Sequence, residues 1–318
     1  MINPPSPFQP PVDEQTPTTP TELNEPSDVV VPPQSFIPAI IDPDRPPWAE
    51  PKWRGVLSAF LVWAGSVACL VFVPLVLLVP YLIYRIVNGS TQAVLTHLEN
   101  DKAFLFLSVL GVIPAHVLTF LICYLLVTGR RKYPLGKTLG LSWPSSWSPL
   151  KGGLICVLIA GALFGGGALI TYYFPGEKTQ LDILIESSAG ARIVTALLAV
   201  VTAPVVEEMV YRGILYPAMA TVFGSALAIA IVSFLFAGVH YLQYQNNLAV
   251  VGVITLVSIT LTAVRAYTRR LLPCFVVHLV FNGIQAVIIL LYPFLPKPES
   301  SPQPVPGELV AFVTRLFS

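Results

Sequence analysis

Two adjacent carboxylates stand inside an apolar run, Val205-Val206-Glu207-Glu208-Met209-Val210-Tyr211-Arg212. An ionisable side chain at the centre of a membrane helix costs about 2.5 to 3.5 kcal/mol on insertion scales, so such residues face a bundle interior and mark function. The other deeply placed ionisable groups are His240, His278 and, more weakly, His116. Neighbours on a helix point about 100° apart, whereas positions i and i+4 share a face. Glu208 and Arg212 are therefore expected to form an ion pair, which lowers the cost of burying either charge. Glu207 points elsewhere and lacks a local cation, which suits it to general-base work. Pairing of both glutamates with basic residues on other helices is the purely structural alternative.

His240 follows in Phe236-Ala237-Gly238-Val239-His240, and the midpoint of 207 and 240 is 223.5, next to Phe223 and Gly224. If the chain turns there into an antiparallel helix hairpin, Glu207 and His240 lie at one depth, each about 25 Å from the turn. A third constellation, His278-Leu279-Val280-Phe281-Asn282, puts an imidazole and a carboxamide on one face of another helix. Such a pair can hold helices together by hydrogen bonds. It can also hold an oxyanion while a glutamate and a histidine activate water, which is what amide hydrolysis requires.

These side chains need apolar helices to carry them, and the composition supplies them. Of 318 residues, 54% are hydrophobic and 11% charged, where a soluble domain carries about 25% charged residues; the mean hydropathy is +0.72. Seven runs approach or exceed the roughly 20 residues that span a bilayer: Val56 to Tyr84, Ala103 to Val127, Gly152 to Phe174, Ile193 to Phe223, Ser225 to Tyr241, Leu248 to Val264 and Leu271 to Leu291. Pro74 and Pro80 in the first run allow it to be two pieces, for a total of eight. Gly165, Gly166 and Gly167 would allow close helix approach. The expected fold is all-α, a polytopic membrane helix bundle of seven to eight transmembrane helices with an intramembrane catalytic cavity.

Lys and Arg in short loops favour the cytoplasmic side. With the N-terminus inside, eleven basic residues fall inside (Arg45, Lys52, Arg54, Arg130, Arg131, Lys132, Lys137, Lys151, Arg265, Arg269, Arg270) and six outside (Arg85, Lys102, Lys178, Arg192, Lys297, Arg315). His278 lies about eight residues, roughly 12 Å of rise, beyond Arg270. For it to meet Glu207 and His240, the turn near Gly224 must project on the order of 10 Å past the membrane, which places the site in the cytoplasmic half, open inward.

Residues 1–51 hold 15 of the 31 prolines and 8 of the 17 acidic residues. Such a segment cannot bury enough apolar surface to offset its chain entropy, so 1–53 is expected to be a disordered cytoplasmic tail. It lacks the pattern of a signal peptide. The bundle is expected over 54–292, with a short tail at 293–318. Cys69, Cys123, Cys156 and Cys274 each sit in an apolar run and are expected to be small core residues rather than a disulfide framework. The net charge of +1 and pI ≈ 7.7 give no basic footprint for nucleic acid, which is excluded as a partner.

Taken together, Glu-Glu-x-x-x-Arg at Glu207, Glu208 and Arg212, Phe-x-x-x-His at Phe236 and His240, and His-x-x-x-Asn at His278 and Asn282 resemble the CPBP intramembrane protease family. That family includes type II CAAX prenyl endopeptidases and relatives linked to bacteriocin processing or self-immunity. The resemblance covers about residues 150–292 and implies a conical membrane cavity. It implies Glu207 and His240 as the water-activating pair, His278 and Asn282 as oxyanion stabilisers, and Glu208 and Arg212 as a structural pair. No motif position departs from the pattern. Zinc is the one cofactor to weigh, with Glu207, His240 and His278 as its donors in a metalloprotease. Asn282 is a poor zinc ligand and no His-Glu-x-x-His run is present, so a glutamate-activated water without an obligatory metal is preferred. The expected partners are membrane lipid and a membrane-associated or lipidated peptide substrate, and the expected location is a bacterial inner membrane. Functions of other classes are a proton-coupled transporter, which many such chains would betray by internal symmetry absent here, and a non-catalytic membrane scaffold.

Overall fold

The computed structural model describes residues 53–89, Leu98 and 101–294, and among these the regular structure is helical throughout. The expected tails therefore lie outside the described residues, except that Trp53 already starts a helix and residues 292–294 form a 3-10 turn. The helices are α1 (Trp53–Val87), α2 (Lys102–Leu110), α3 (Val112–Val127), α4 (Leu135–Leu139), α5 (Pro149–Tyr173), α6 (Gln180–Ser187), α7 (Ala189–Leu197), α8 (Ala203–Glu207), α9 (Tyr216–Tyr244), α10 (Leu248–Thr268) and α11 (Leu271–Leu291). Two π-helical stretches, Leu198–Thr202 and Glu208–Leu215, join α7 to α8 and α8 to α9.

Among the described residues, six continuous helical runs are long and apolar enough to cross a bilayer. The longest, Ala189–Tyr244, is the fourth and fifth expected segments in one, with its break at Gly224. There φ is 76° and ψ 163°, a backbone region that is essentially glycine-only. The two arms fold back on each other. Tyr211 and Phe236 meet edge to face with centroids 4.9 Å apart, and Tyr216 donates to Ser225 at 3.3 Å. α1 keeps both prolines inside one 35-residue helix, so the eighth piece does not form. Pro74 instead meets α2–α3: a Cβ at Gly111 would lie 2.9 Å from its Cα, so only glycine lets these helices approach so closely.

Most buried side chains of the bundle are apolar, with a small charged cluster enclosed among them, and the outer faces are apolar as well. Arg212 and Glu208 are among its most completely buried side chains, while Leu57, Phe72, Val76 and Phe234 are exposed on the outer faces. A lipid solvent makes this arrangement favourable, because apolar faces cost nothing there and charges need partners. Of the three consecutive glycines in α5, only Gly167 is in contact, where a Cβ would sit 3.0 Å from Val253; Gly165 and Gly166 face open space. Three of the four cysteines are buried and Cys69 is half-buried, all as free thiols.

Trp53 packs on Phe223 at 5.5 Å, which puts the start of α1 beside the hairpin tip. Leu271 N–H donates to Gly140 O at 3.0 Å, and a Cβ at Gly213 would touch Leu139 at 2.9 Å and Leu271 at 3.7 Å. Gly213 is thus level with the turn between α10 and α11. The eleven residues from there to Gly224 carry the hairpin tip about 16 Å farther along. At the opposite end, α6 is capped reciprocally by Thr179 and Asp182, and Tyr292 donates to Glu186 at 2.8 Å.

Candidate active site

The site forms where the first arm of the hairpin passes α10 and α11. Arg212 Nη1 donates to Glu208 Oε1 at 3.1 Å within one helix, and both side chains are sealed, at 0% and 1% exposure. The rest of the guanidinium is held by α10: Nη2 donates to Ser258 Oγ at 2.9 Å and to Ser258 O at 3.2 Å, and Nε to Thr262 Oγ1 at 3.3 Å. The Phe236 ring lies 4.8 Å from Arg212 Cζ. Such full satisfaction is what lets a guanidinium sit in an apolar interior.

His278 bridges the two glutamates. Its Nδ1 is 2.9 Å from Glu208 Oε1 and its Nε2 is 3.7 Å from Glu207 Oε2. The expectation that adjacent glutamates diverge too far to share a neighbour is thereby corrected. Glu208 opens a π-helical stretch, and an imidazole offers a nitrogen on each side. Since a carboxylate accepts, Nδ1 of His278 is the donor to Glu208, and Nε2 faces Glu207. Glu207 differs from its neighbour in access, with 20% of its side chain exposed.

His240 sits on the returning arm, one turn beyond Phe236. Its Nδ1 is 2.8 Å from Phe236 O; a carbonyl only accepts, so Nδ1 is the donor and Nε2 of the neutral ring is an acceptor. The rings of Phe236, His240 and Tyr244 form a ladder with centroids 4.6 and 6.5 Å apart. The Tyr211–Phe236 contact joins the two arms of the hairpin, yet no hydrogen bond or ion pair joins Glu207 to His240. Asn282 Nδ2 donates to the backbone carbonyl of Ala199 at 2.9 Å. His116 is buried with Nδ1 2.8 Å from Thr202 Oγ1, on the deeper side of the cluster.

Among the described residues no three His, Cys, Asp or Glu side chains lie close enough to share a metal ion. The expected zinc set of Glu207, His240 and His278 is not assembled, and His240 Nδ1 bonds back to its own helix at Phe236 O. The metalloprotease expectation has no support in this geometry.

Sequence reasoning missed Ser258 and Thr262, although two hydroxyls at i and i+4 in an apolar helix are a legible signal for a buried polar partner. It also missed Arg265, whose Nε donates to Arg212 O at 3.1 Å, and Tyr244, four residues past His240.

Six bilayer-length apolar helices around a sealed Glu–Arg–His cluster define an integral membrane protein with an enclosed polar site. Residues 189–284 match the family model described as type II CAAX prenyl endopeptidase Rce1-like. All three motifs fall inside that segment, so the resemblance to the CPBP family holds over it. The match is shorter than the expected 150–292 and leaves out α5. No curated protein and no solved structure matches the chain.

Proposed function

We propose that the chain is an intramembrane endopeptidase that hydrolyses a peptide bond of a membrane-associated substrate. The observation that carries this is the contrast within Glu207-Glu208: Glu208 is locked to Arg212 and His278, whereas Glu207 keeps an exposed edge beside a histidine.

Glu207, with the acceptor Nε2 of His240 across the hairpin, takes a proton from water as the water oxygen adds to the scissile carbonyl carbon. The carbonyl oxygen gains the negative charge. An amide N–H of Asn282 donates to it, Asn282 having a second N–H beyond the one given to Ala199, and His278, when both its nitrogens carry hydrogen, adds Nε2–H. The C–N bond then breaks as the proton held by Glu207 or His240 passes to the leaving nitrogen. Glu208 and Arg212 fix the helix and touch no reacting atom.

Stretches 53–60, 129–151 and 265–271 cluster at the hairpin-tip end and contain basic but no acidic residues. This supports a cytoplasmic orientation for that end, with the substrate entering from the cytoplasmic leaflet of a bacterial inner membrane. Lipidated C-terminal peptides are the substrate class that the family match favours.

The test is cleavage of lipidated and unmodified hydrophobic peptides by detergent-purified protein. Glu207→Gln should abolish cleavage with the fold intact, and cleavage that survives Glu207→Ala overturns the proposal. Proton flux in proteoliposomes, lost in Glu207→Gln without any peptidase activity, would make the chain a transporter instead.

A further inference from the structure

Inside a membrane each backbone carbonyl must find a donor, and the site helix leaves two without one in their own helix. The first π stretch ends with Ala203 N–H donating to Leu198 O. In α register the donor for Ala199 O would be that same N–H, already spent. In π register it would be residue 204, a proline with no N–H. Ala199 O is therefore orphaned on both counts, and Asn282 Nδ2 fills it from α11 at 2.9 Å.

The second π stretch repeats the arrangement. Tyr216 N–H donates to Tyr211 O, which spends the α-register donor of Arg212 O, and the π-register donor would be Pro217. Arg212 O is filled from α10 by Arg265 Nε at 3.1 Å. Each π stretch is thus followed, two residues beyond its end, by a proline, and each proline exposes one carbonyl to a side chain of a different helix. The two carbonyls bracket Glu207 and Glu208.

We propose that Asn282 and Arg265 are positioning residues: each seats in a carbonyl that a π turn and a following proline leave open, and together they clamp the Glu-Glu-x-x-x-Arg segment at its two ends. Register is fixed because a slip of either stretch to α geometry would move the open carbonyl away from its donor. The consequence for catalysis rests on Glu207 acting as base, whereas the clamp itself does not.

Proline-to-alanine rescue tests this. Pro204→Ala supplies an N–H for Ala199 O, and Pro217→Ala one for Arg212 O. Asn282→Ala and Arg265→Met should each lower the thermal unfolding midpoint in detergent, and Arg265→Met should cut kcat about tenfold with KM within about twofold, as a misplaced base would. In matched pairs (Asn282→Ala with Pro204→Ala, Arg265→Met with Pro217→Ala) at least half of the lost midpoint should return, along with kcat for Arg265→Met. In crossed pairs nothing should return. Equal recovery in matched and crossed pairs, no recovery in matched pairs, or single variants indistinguishable from wild type would each overturn the clamp. If the wild-type chain cleaves no peptide, the proposed function fails while the midpoints still decide the clamp.

Discussion

Nδ1 of His278 and Oε1 of Glu208 lie 2.9 Å apart, and that same oxygen accepts from Arg212. One carboxylate oxygen thus ties α11 to the hairpin while neutralising the guanidinium, and the other, Oε2, is buried without a hydrogen-bond partner among the described residues. Removing this charge strands Arg212 in an apolar interior. Glu208→Gln should cost about 3–5 kcal/mol and be seen as a collapse of the unfolding midpoint and of membrane yield. Glu207→Gln, at a part-exposed position, should leave both near wild type.

Arg212→Lys should fail almost as badly as Arg212→Met. The guanidinium reaches Glu208, both oxygens of Ser258 and Thr262 from one planar fork, and an ammonium is a point donor that cannot span them. Ser258→Ala removes one of those bonds and should cost about 1.5–3 kcal/mol, the range for hydrogen bonds to charged groups. Chemical denaturation in detergent would rank the three variants. Arg212→Lys at wild-type stability would show that the fork is dispensable.

At Gly224 a Cβ would meet nothing within 4 Å, so the cost of any substitution there is backbone strain alone. Ala, Asn and Val should each destabilise by about 1–3 kcal/mol, nearly independent of side-chain size. Asn brings no relief, because ψ of 163° is far from the left-handed helical region it tolerates. A cost that climbs from Ala to Val would point to a steric clash instead.

Asp101 caps α2 through Ala103 and Phe104 N–H at 2.9 and 3.2 Å, accepts from Tyr81 at 2.7 Å, and pairs with Arg85 at 2.8 Å. Burial pulls its pKa up, but Tyr81, the two amides and Arg85 outweigh that and hold the carboxyl below its usual 3.8. A lowered folded value means that the stabilisation is complete above the unfolded pKa, near 4, and is lost as pH falls through the folded one. Asp101→Asn keeps a capping oxygen but loses the charge facing Arg85, so it should cost up to about 1 kcal/mol at pH 7 and flatten the fall of the unfolding midpoint below about pH 4. An unchanged acid slope would remove Asp101 from that role.

The orientation is open to direct measurement. With Cys69 replaced by alanine, the three remaining cysteines are buried, and a cysteine at Ala226 beside the hairpin tip would be the accessible thiol. Impermeant maleimide should label it in inverted vesicles and not in intact cells. The reverse pattern would put the site on the other side of the membrane.

How far the chain could be read depended on which residues announce themselves. The hairpin was legible because the midpoint of Glu207 and His240, 223.5, falls beside Gly224, and Tyr211–Phe236, with the same midpoint, makes the contact that the symmetry demanded. Glu208–Arg212 was legible because i and i+4 on a helix leave little choice. The sharing of His278 by both glutamates was not, since the 100° rule presumes α geometry and π turns shift it. Pro204 and Pro217 were visible as letters. That each empties a carbonyl at one defined place depends on the preceding donor having moved by one residue, which no hydropathy pattern encodes.

The Glu208–Arg212 pair also bears on how the protein is made. It closes within one helical turn, so it needs no other helix in order to form. The groups that later embrace it, Ser258, Thr262 and His278, lie 46 and 50 residues after Arg212 and 70 after Glu208, and during synthesis they leave the ribosome after it. The segment can therefore partition into lipid as an internally neutralised dipole rather than as two separate ions. The downstream helices assemble around a charge pair already in place, and the order of the polypeptide becomes part of how a buried arginine is tolerated.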